Sequence, residues 1–140
     1  MSGRYLLDTN AIINLLKDEN ANFIVKDRDE VFFVSVITEI ELLCYKDLAE
    51  EDEASIKELL NESCIININK KIKVEAIELK KKNTIKLPDA VICATALVSD
   101  LTLVTDDDRL FNIEGLNVIH LSDLINKFST GNSPSVEREY

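Results

Sequence analysis

The chain has little of what disulfide-linked, collagen-like or loop-rich proteins contain. Of its 140 residues, 3 are glycine, 2 are proline, 3 are cysteine and none is tryptophan. The cysteines (Cys44, Cys64, Cys93) are odd in number and form no CxxC pair, which argues against a disulfide framework or a thiolate zinc site. We expect all three to be small, buried apolar residues. No glycine lies at a predicted strand-to-helix turn, so a glycine-rich phosphate loop is excluded.

The sequence also lacks a membrane or secretion signal and an excess of positive charge. It contains no run of about 18 apolar residues, and its first residues do not form a signal peptide, so we expect a cytoplasmic protein without a membrane partner. The formal net charge of −10 has the wrong sign for general attraction of nucleic acid. With a single histidine, His120, a two-histidine ribonuclease mechanism is excluded, and we interpret His120 as structural.

What is present is a regular alternation of strand and helix patterns. With 46% hydrophobic and 30% charged residues, the composition is that of one globular domain. The predicted order is strand 4–8, helix 11–16, strand 31–34, a helix from Ser35 or Thr38 to Leu48, helix 51–62, strand 64–68, helix 70–82, a helix from Pro88 to Val98, strand 101–104, strand 117–120 and helix 122–128. This order predicts an α/β fold in which a central parallel sheet is flanked by helices on both faces. The domain spans 1–128, and the polar tail 129–140 is expected to be disordered.

Acidic residues recur where strands end or helices begin: Asp8, Glu41, Asp89 and the pair Asp106 and Asp107. Each alone is explained by a helix cap or a turn. At the carboxyl edge of a parallel sheet, however, these carboxylates would converge and repel one another. A cation resolves that repulsion, and ligands that are all oxygen favour Mg²⁺ or Mn²⁺. Such ions bind phosphodiesters and activate water.

Four blocks around these acids resemble the PIN domain, and specifically the VapC-type toxins of bacterial toxin–antitoxin pairs. They are LLDTNAIINLL, VSVITEIELL, LPDAVICATAL and LVTDDDRLF, and the resemblance extends from Arg4 to about Leu121. It implies a single PIN-like domain that acts as a Mg²⁺-dependent endoribonuclease, in which Mn²⁺ can substitute. It also implies an RNA substrate, a cognate antitoxin and a homodimer.

The resemblance further implies roles for individual residues. The catalytic acids would be Asp8, Glu41, Asp89 and Asp107. The metal ligands would be Asp8, Asp89, Asp107 and Asp106. The fourth acid of the family falls on either Asp106 or Asp107, and we favour Asp107. Thr9, Asn10, Ser35 and Thr105 lie beside these acids and would orient carboxylates or waters. Activated water would attack the phosphate in line, without a protein nucleophile.

Residues 70–86 carry the main concentration of positive charge. They hold seven lysines against two glutamates, a local balance of +5. Lys80, Lys81, Lys82 and Lys86 are the proposed contacts with the RNA backbone. The alternative is a solvated helix face on which lysine serves solubility.

Two other functions remain possible at this point. One is a non-catalytic PIN-like binding module, which failure to bind Mg²⁺ or Mn²⁺ would favour. The other is a different Mg²⁺-dependent phosphoryl-transfer α/β domain. Against the second, Asn10 stands where a haloacid-type phosphatase has its second aspartate, and Asp8 lacks the adjacent acid of a receiver domain.

Overall fold

The computed structural model describes residues 3–18 and 31–132. Within them, five short strands alternate with helices. The elements are β1 (Tyr5–Leu7), α1 (Thr9–Lys17), β2 (Phe33–Ser35), α2 (Val36–Leu43), α3 (Glu50–Glu62), β3 (Cys64–Ile66), α4 (Lys70–Lys82), α5 (Leu87–Ser99), β4 (Thr102–Val104), a 3₁₀ helix (Asp108–Asn112), β5 (Val118–Ile119) and α6 (Leu121–Asn132). In this part of the chain, no helix is long and apolar enough to cross a bilayer.

The strands form one sheet in the order β3-β2-β1-β4-β5, and every neighbouring pair is parallel. The predicted α/β class with a central parallel sheet is therefore confirmed. β1 lies in the middle, with Leu6 paired to Phe33 of β2 and Leu103 of β4. Because all strands run the same way, the segments that follow β1, β2 and β4 leave the sheet at one edge.

The alternation of side chains along β1 separates two hydrophobic cores. Tyr5 and Leu7 pack on one face, in a cluster completed by α1, α2, α3 and α6. Leu6 points to the other face, where it joins Leu103 and the apolar side chains of α4 and α5. Both faces are covered, which explains why β1 is apolar at every position.

Helix α4 begins and ends at the predicted residues 70–82. The Asn69 side chain accepts a hydrogen bond from the Ile72 backbone amide at 2.8 Å and so caps the first turn. Three lysines occupy the last turn, where positive charge is favourable. Pro88 lies in the first turn of α5, as predicted, since proline is tolerated there.

Other boundaries differ from the prediction. α2 begins after Ser35, whose hydroxyl accepts from the Ile37 amide at 3.1 Å, so Thr38 lies inside the helix. The predicted extension to Leu48 is wrong, because α2 ends at Leu43. The exposed residues that follow include weak helix formers. α6 continues to Asn132, beyond the predicted end at Phe128, while the remainder of the proposed tail (133–140) lies outside the described residues.

The expectation for the cysteines is correct for one of three. Cys93 is buried in α5, but Cys44 and Cys64 are exposed. Cys44 follows the early end of α2, and Cys64 begins the edge strand β3, which has a neighbour on one side only. The exposure of Cys44 and Cys64 could not be predicted from composition alone.

Candidate functional site

At the carboxyl edge of the sheet, four carboxylates line one pocket of about 470 Å³. Asp8 follows β1, Glu41 projects from α2, Asp89 lies in the first turn of α5 and Asp107 comes shortly after β4. The other lining residues are Thr9, Asn10, Cys44, Tyr45, Lys86, Pro88, Ile92 and Arg109. The fold thus brings together acids that are up to 99 positions apart in the sequence.

Asp8 is the most enclosed of the four, with 8% of its surface exposed. Its Oδ1 accepts a hydrogen bond from the Ala11 amide at 2.8 Å and caps α1. Burial raises the pKa of Asp8, and the nearby carboxylates of Asp106 and Asp89 add to that rise; hydrogen bonds from Thr105 and Ala11 oppose it. An uncharged asparagine would cap the helix as well, so the cap does not explain a buried carboxylate.

Glu41 is held by hydroxyl groups. The Thr9 hydroxyl donates to Glu41 Oε1 at 2.6 Å, and its oxygen lies 3.1 Å from the hydroxyl of the buried Thr38. Thr9, which is expected to orient a carboxylate, thus contacts one, and its functional role stays a prediction. The sequence pattern indicates Thr38 only as a possible start of this helix, and its inward position follows from the true start of α2 at Val36.

The two remaining acids have opposite electrostatic surroundings. The pKa of Asp89 is raised by burial, and then by the neighbouring charge of Asp107, although Arg109 partly offsets the effect. The pKa of Asp107 is lowered, chiefly because Arg109 donates to it. Arg109 Nε lies 3.0 Å from Asp107 Oδ1, and Nη2 lies 2.7 Å from Oδ2.

Asp106 and Asp107 point in different directions. Asp106 accepts from the Leu121 amide at 3.0 Å at the start of α6, and the His120 ring nitrogen Nδ1 lies 3.5 Å away. His120 stacks on Phe111 with ring centroids 4.3 Å apart. Asp107, not Asp106, lines the pocket. This placement favours Asp107 for the fourth position, and its role as a ligand stays a prediction.

The other predicted orienting residues are divided between the pocket and its supports. Asn10 lines the pocket, and the buried Thr105 hydroxyl contacts Asp8 and accepts from the Asp107 amide at 3.1 Å. Ser35 is buried and caps α2, away from the pocket lining. Thr105 thereby links two of the four acids.

The predicted basic surface does not form one unit. Lys86 lines the pocket. Lys80 donates to the Ile85 carbonyl at 2.9 Å, and Lys81 pairs with Glu78 at 3.7 Å. Lys82 is exposed at the end of α4. Lys86 is therefore the lysine of this set that shares a cavity with the acids.

The donor set of the pocket fits a hard divalent cation, since carboxylate oxygens dominate it. As arranged, no three acidic, histidine or cysteine side chains of the described residues are close enough to chelate an ion together. Two acids are engaged elsewhere: Glu41 with Thr9, and Asp107 with Arg109. Burial is the main cause of the raised pKa of Asp8 and of Asp89, and the neighbouring carboxylates add a repulsion that a cation would relieve.

The molecule is therefore an α/β domain that carries an acidic pocket at the carboxyl edge of its parallel sheet. The model of the PIN domain family matches residues 5–116, and the chain belongs to that family. The alternative of an unrelated phosphoryl-transfer domain is thereby set aside. No curated protein sequence matches the chain significantly.

Solved structures of toxin–antitoxin proteins share the fold. A toxin–antitoxin complex from Klebsiella pneumoniae is 29% identical, with a TM-score of 0.69 over 86% of this chain and 98% of that chain. VapBC-1 from nontypeable Haemophilus influenzae is 24% identical, with a TM-score of 0.66 over 84% and 98%. DNA-bound VapBC from Salmonella typhimurium is 22% identical, with a TM-score of 0.68 over 86% and 99%. These similarities show that the chain shares its fold with proteins of toxin–antitoxin complexes, and the VapC-type relationship stays a prediction.

Sequence reasoning missed several residues of the pocket, among them Arg109, Cys44, Tyr45 and Ile92. For Arg109 a signal existed, because it is the one cation directly after the aspartate triplet. The others enter the pocket through the early end of α2 and the inward face of α5, which depend on tertiary structure.

Proposed function

We propose that this protein is a Mg²⁺-dependent endoribonuclease that hydrolyses RNA phosphodiester bonds and acts as the toxin of a VapBC-type toxin–antitoxin pair. The observation that carries the proposal is the convergence of Asp8, Glu41, Asp89 and Asp107 in one pocket. Membership of the PIN domain family and the similarity to toxin–antitoxin structures support it.

In this proposal Asp8, Asp89 and Asp107 hold the cation, with Asp106 as the alternative to Asp107, and Mn²⁺ can replace Mg²⁺. When bound, the ion would polarise the scissile phosphate and lower the pKa of water. Burial raises the pKa of Asp8 and of Asp89, and a bound cation would favour the ionised form of both carboxyl groups. Thr9 keeps Glu41 oriented toward the pocket, and a carboxylate positions the attacking water and accepts its proton.

Lys86 supports RNA as the substrate class, since it brings positive charge to the rim of an acidic pocket on a chain of net charge −10. Contacts from Lys80, Lys81 and Lys82 would extend along the end of α4. Their side chains are exposed there, although Lys80 and Lys81 would first give up local partners.

The decisive experiment is cleavage of a mixed transfer and ribosomal RNA pool by the purified protein in Mg²⁺. We expect EDTA and Asp8→Asn each to abolish cleavage, because both remove the cation from the pocket. Asp123→Asn is the matched control, since Asp123 is an exposed aspartate of α6 outside the pocket lining. Equal cleavage by wild type and Asp8→Asn would contradict the proposal.

Calorimetry with Mn²⁺ separates the non-catalytic alternative from an enzyme that merely lacks its target in that pool. We expect wild type to bind Mn²⁺ and Asp8→Asn to bind it weakly. No Mn²⁺ binding and no cleavage by wild type would favour a non-catalytic PIN-like module.

The proposed antitoxin partner needs an apolar surface near the pocket. A groove of about 330 Å³ lies between α1 and the segment leading into α3, and Ile13, Leu16, Tyr45, Leu48 and Ile56 line it. Tyr45 also lines the acidic pocket, so one bound segment could reach both. We expect Leu16→Asp to prevent co-purification with a co-expressed antitoxin without loss of RNA cleavage.

We also propose a cytoplasmic homodimer. A second groove of about 520 Å³ is lined by apolar side chains that include Ile77 and Leu87, which are 49% and 62% exposed, and by Lys73, Lys80 and Lys81. Light scattering on the purified protein should give twice the chain mass of 15.8 kDa, and Leu87→Asp should reduce it to the monomer.

A further inference from the structure

Among the described residues that line the pocket, Arg109 forms a bidentate ion pair with Asp107, a proposed catalytic acid. It donates from Nε and Nη2 to the two carboxylate oxygens of Asp107, at 3.0 and 2.7 Å. Its backbone amide also lies 3.1 Å from Asp107 Oδ1. Each carboxylate oxygen of Asp107 therefore already accepts a hydrogen bond from Arg109, and this contact would compete with a cation for the same group.

The environment of this pair allows it to open. The Arg109 side chain is 63% exposed, and that of Asp107 is 28% exposed. Exposed ion pairs contribute little to stability, so loss of the contact would not unfold the protein. A divalent cation, held at the same time by Asp8 and Asp89, would compete for Asp107 with twice the charge.

The released guanidinium would lie at the rim of the pocket beside Lys86. A guanidinium binds phosphate through the same pair of parallel hydrogen bonds that it makes with a carboxylate. The two cations would then face the part of the pocket where a nucleic-acid backbone must enter.

We propose that Arg109 is a substrate-binding residue whose guanidinium is paired with Asp107 when no metal is bound. A divalent cation displaces Arg109 from Asp107, and Arg109 then binds a phosphate of the RNA backbone. This inference rests on the proposed nuclease function and adds to it a residue and an order of events. The metal binds first, and its binding completes the phosphate site.

Two measurements on Arg109→Gln, Arg109→Lys and Lys86→Gln test the proposal. The first is Mn²⁺ affinity by calorimetry. We expect Arg109→Gln to bind Mn²⁺ about five- to tenfold more tightly, because the competing contacts are gone. Arg109→Lys keeps the positive charge but cannot form the bidentate contact. Its Mn²⁺ affinity should therefore lie between those of wild type and Arg109→Gln. Lys86→Gln removes one charge of the same pocket without touching Asp107, so we expect a change of less than about threefold.

The second measurement is the binding of a short labelled single-stranded RNA at saturating Mn²⁺, read by fluorescence anisotropy before cleavage accumulates. Backbone contacts are independent of sequence, so the physiological target is not required. We expect Arg109→Gln to weaken RNA binding about tenfold although its Mn²⁺ affinity has risen. A merely structural role for Arg109 would not move the two affinities in opposite directions.

The outcomes distinguish this inference from the proposed function. If wild type binds Mn²⁺ and Arg109→Gln binds it equally or less tightly, Arg109 does not compete with the cation and the inference is wrong. Unchanged RNA binding by Arg109→Gln overturns it as well. If neither protein binds Mn²⁺ or cleaves RNA, the proposed function itself fails, and the inference fails with it.

Discussion

Two regions of the molecule are rich in acidic residues, and they behave in opposite ways. In α3, six acids lie within one helix of 13 residues, and its first turn holds four of them, Glu50 to Glu53. These side chains are exposed. In the pocket, four acids come from four segments and line a single cavity. The density of acids in the sequence is thus higher where the structure builds no site.

Desolvation accounts for the difference. Burial is the largest cause of the raised pKa of Asp8 and of Asp89. Water solvates the acids of α3, so their mutual repulsion is screened. A carboxylate therefore becomes suited to bind a cation when several strands and helices converge on it and bury it. The number of acids near it in the sequence does not decide this.

The comparison can be broken most directly by removing one carboxylate from each region. We expect Asp89→Asn to reduce RNA cleavage about 100-fold or more, because a lost ligand costs several kcal/mol of transition-state stabilisation. Glu58→Gln, on the exposed face of α3, is the matched control and should cleave at the wild-type rate. Similar losses in both variants would mean that net charge, and not convergence, controls activity.

A second prediction sharpens the boundary of the pocket itself. Asp107 lines the cavity, whereas the adjacent Asp106 caps α6. We expect Asp107→Asn to lower kcat by about 10- to 100-fold, and Asp106→Asn to lower it by less than about threefold, since asparagine preserves a cap. Rates measured at saturating Mg²⁺ decide the choice. The reverse order would make Asp106 the fourth ligand.

The sequence was sufficient to predict the positions of the site acids, for a physical reason. Strands of apolar residues end where the chain must leave the sheet, so Asp8 and Asp107 could be placed at the edge from the pattern alone. Asp89 followed from the helix start beside Pro88. Glu41 was placed in the helix after the second strand by the same pattern, and the resemblance to the PIN domain implied its catalytic role.

What the sequence did not predict depends on short-range geometry. The fork between Arg109 and Asp107 requires the 3₁₀ turn that begins at Asp108. The contact between Thr9 and Glu41 joins residues 32 positions apart and depends on how α1 and α2 cross. The exposed Cys44 follows from a helix that ends earlier than its apolar pattern suggests. Periodicity carries no information on any of these.

A third prediction concerns stability in EDTA. The pKa of Asp8 is raised above its ordinary value of 3.8, so the folded protein binds this proton more tightly than the unfolded chain does. Below pH 3.8 both states are protonated and no penalty exists. As the pH rises, the unfolded chain ionises first, and the free energy of unfolding falls until the pH passes the raised pKa.

Asp8→Asn removes this penalty and keeps the helix cap. At neutral pH without metal, we therefore expect its Tm to exceed that of wild type, with the difference vanishing near pH 3. Thermal melts followed by circular dichroism measure it. A lower Tm for Asp8→Asn at neutral pH would contradict the prediction, because it would show that the ionised Asp8 carboxylate stabilises the folded state.

The smallest effect is expected in α3, where Glu53 pairs with Lys57 at 3.4 Å and the two side chains are 52% and 60% exposed. Such a pair one helical turn apart contributes about 0.3–0.5 kcal/mol, so Glu53→Gln should shift the Tm by no more than about 2 °C. RNA cleavage should not change at physiological salt, because a single exposed charge is screened within about 8 Å. If cleavage increased at low salt and the gain disappeared at high salt, α3 would act as a repulsive field on incoming RNA. The acidic helix would then shape access to a pocket whose chemistry it does not share.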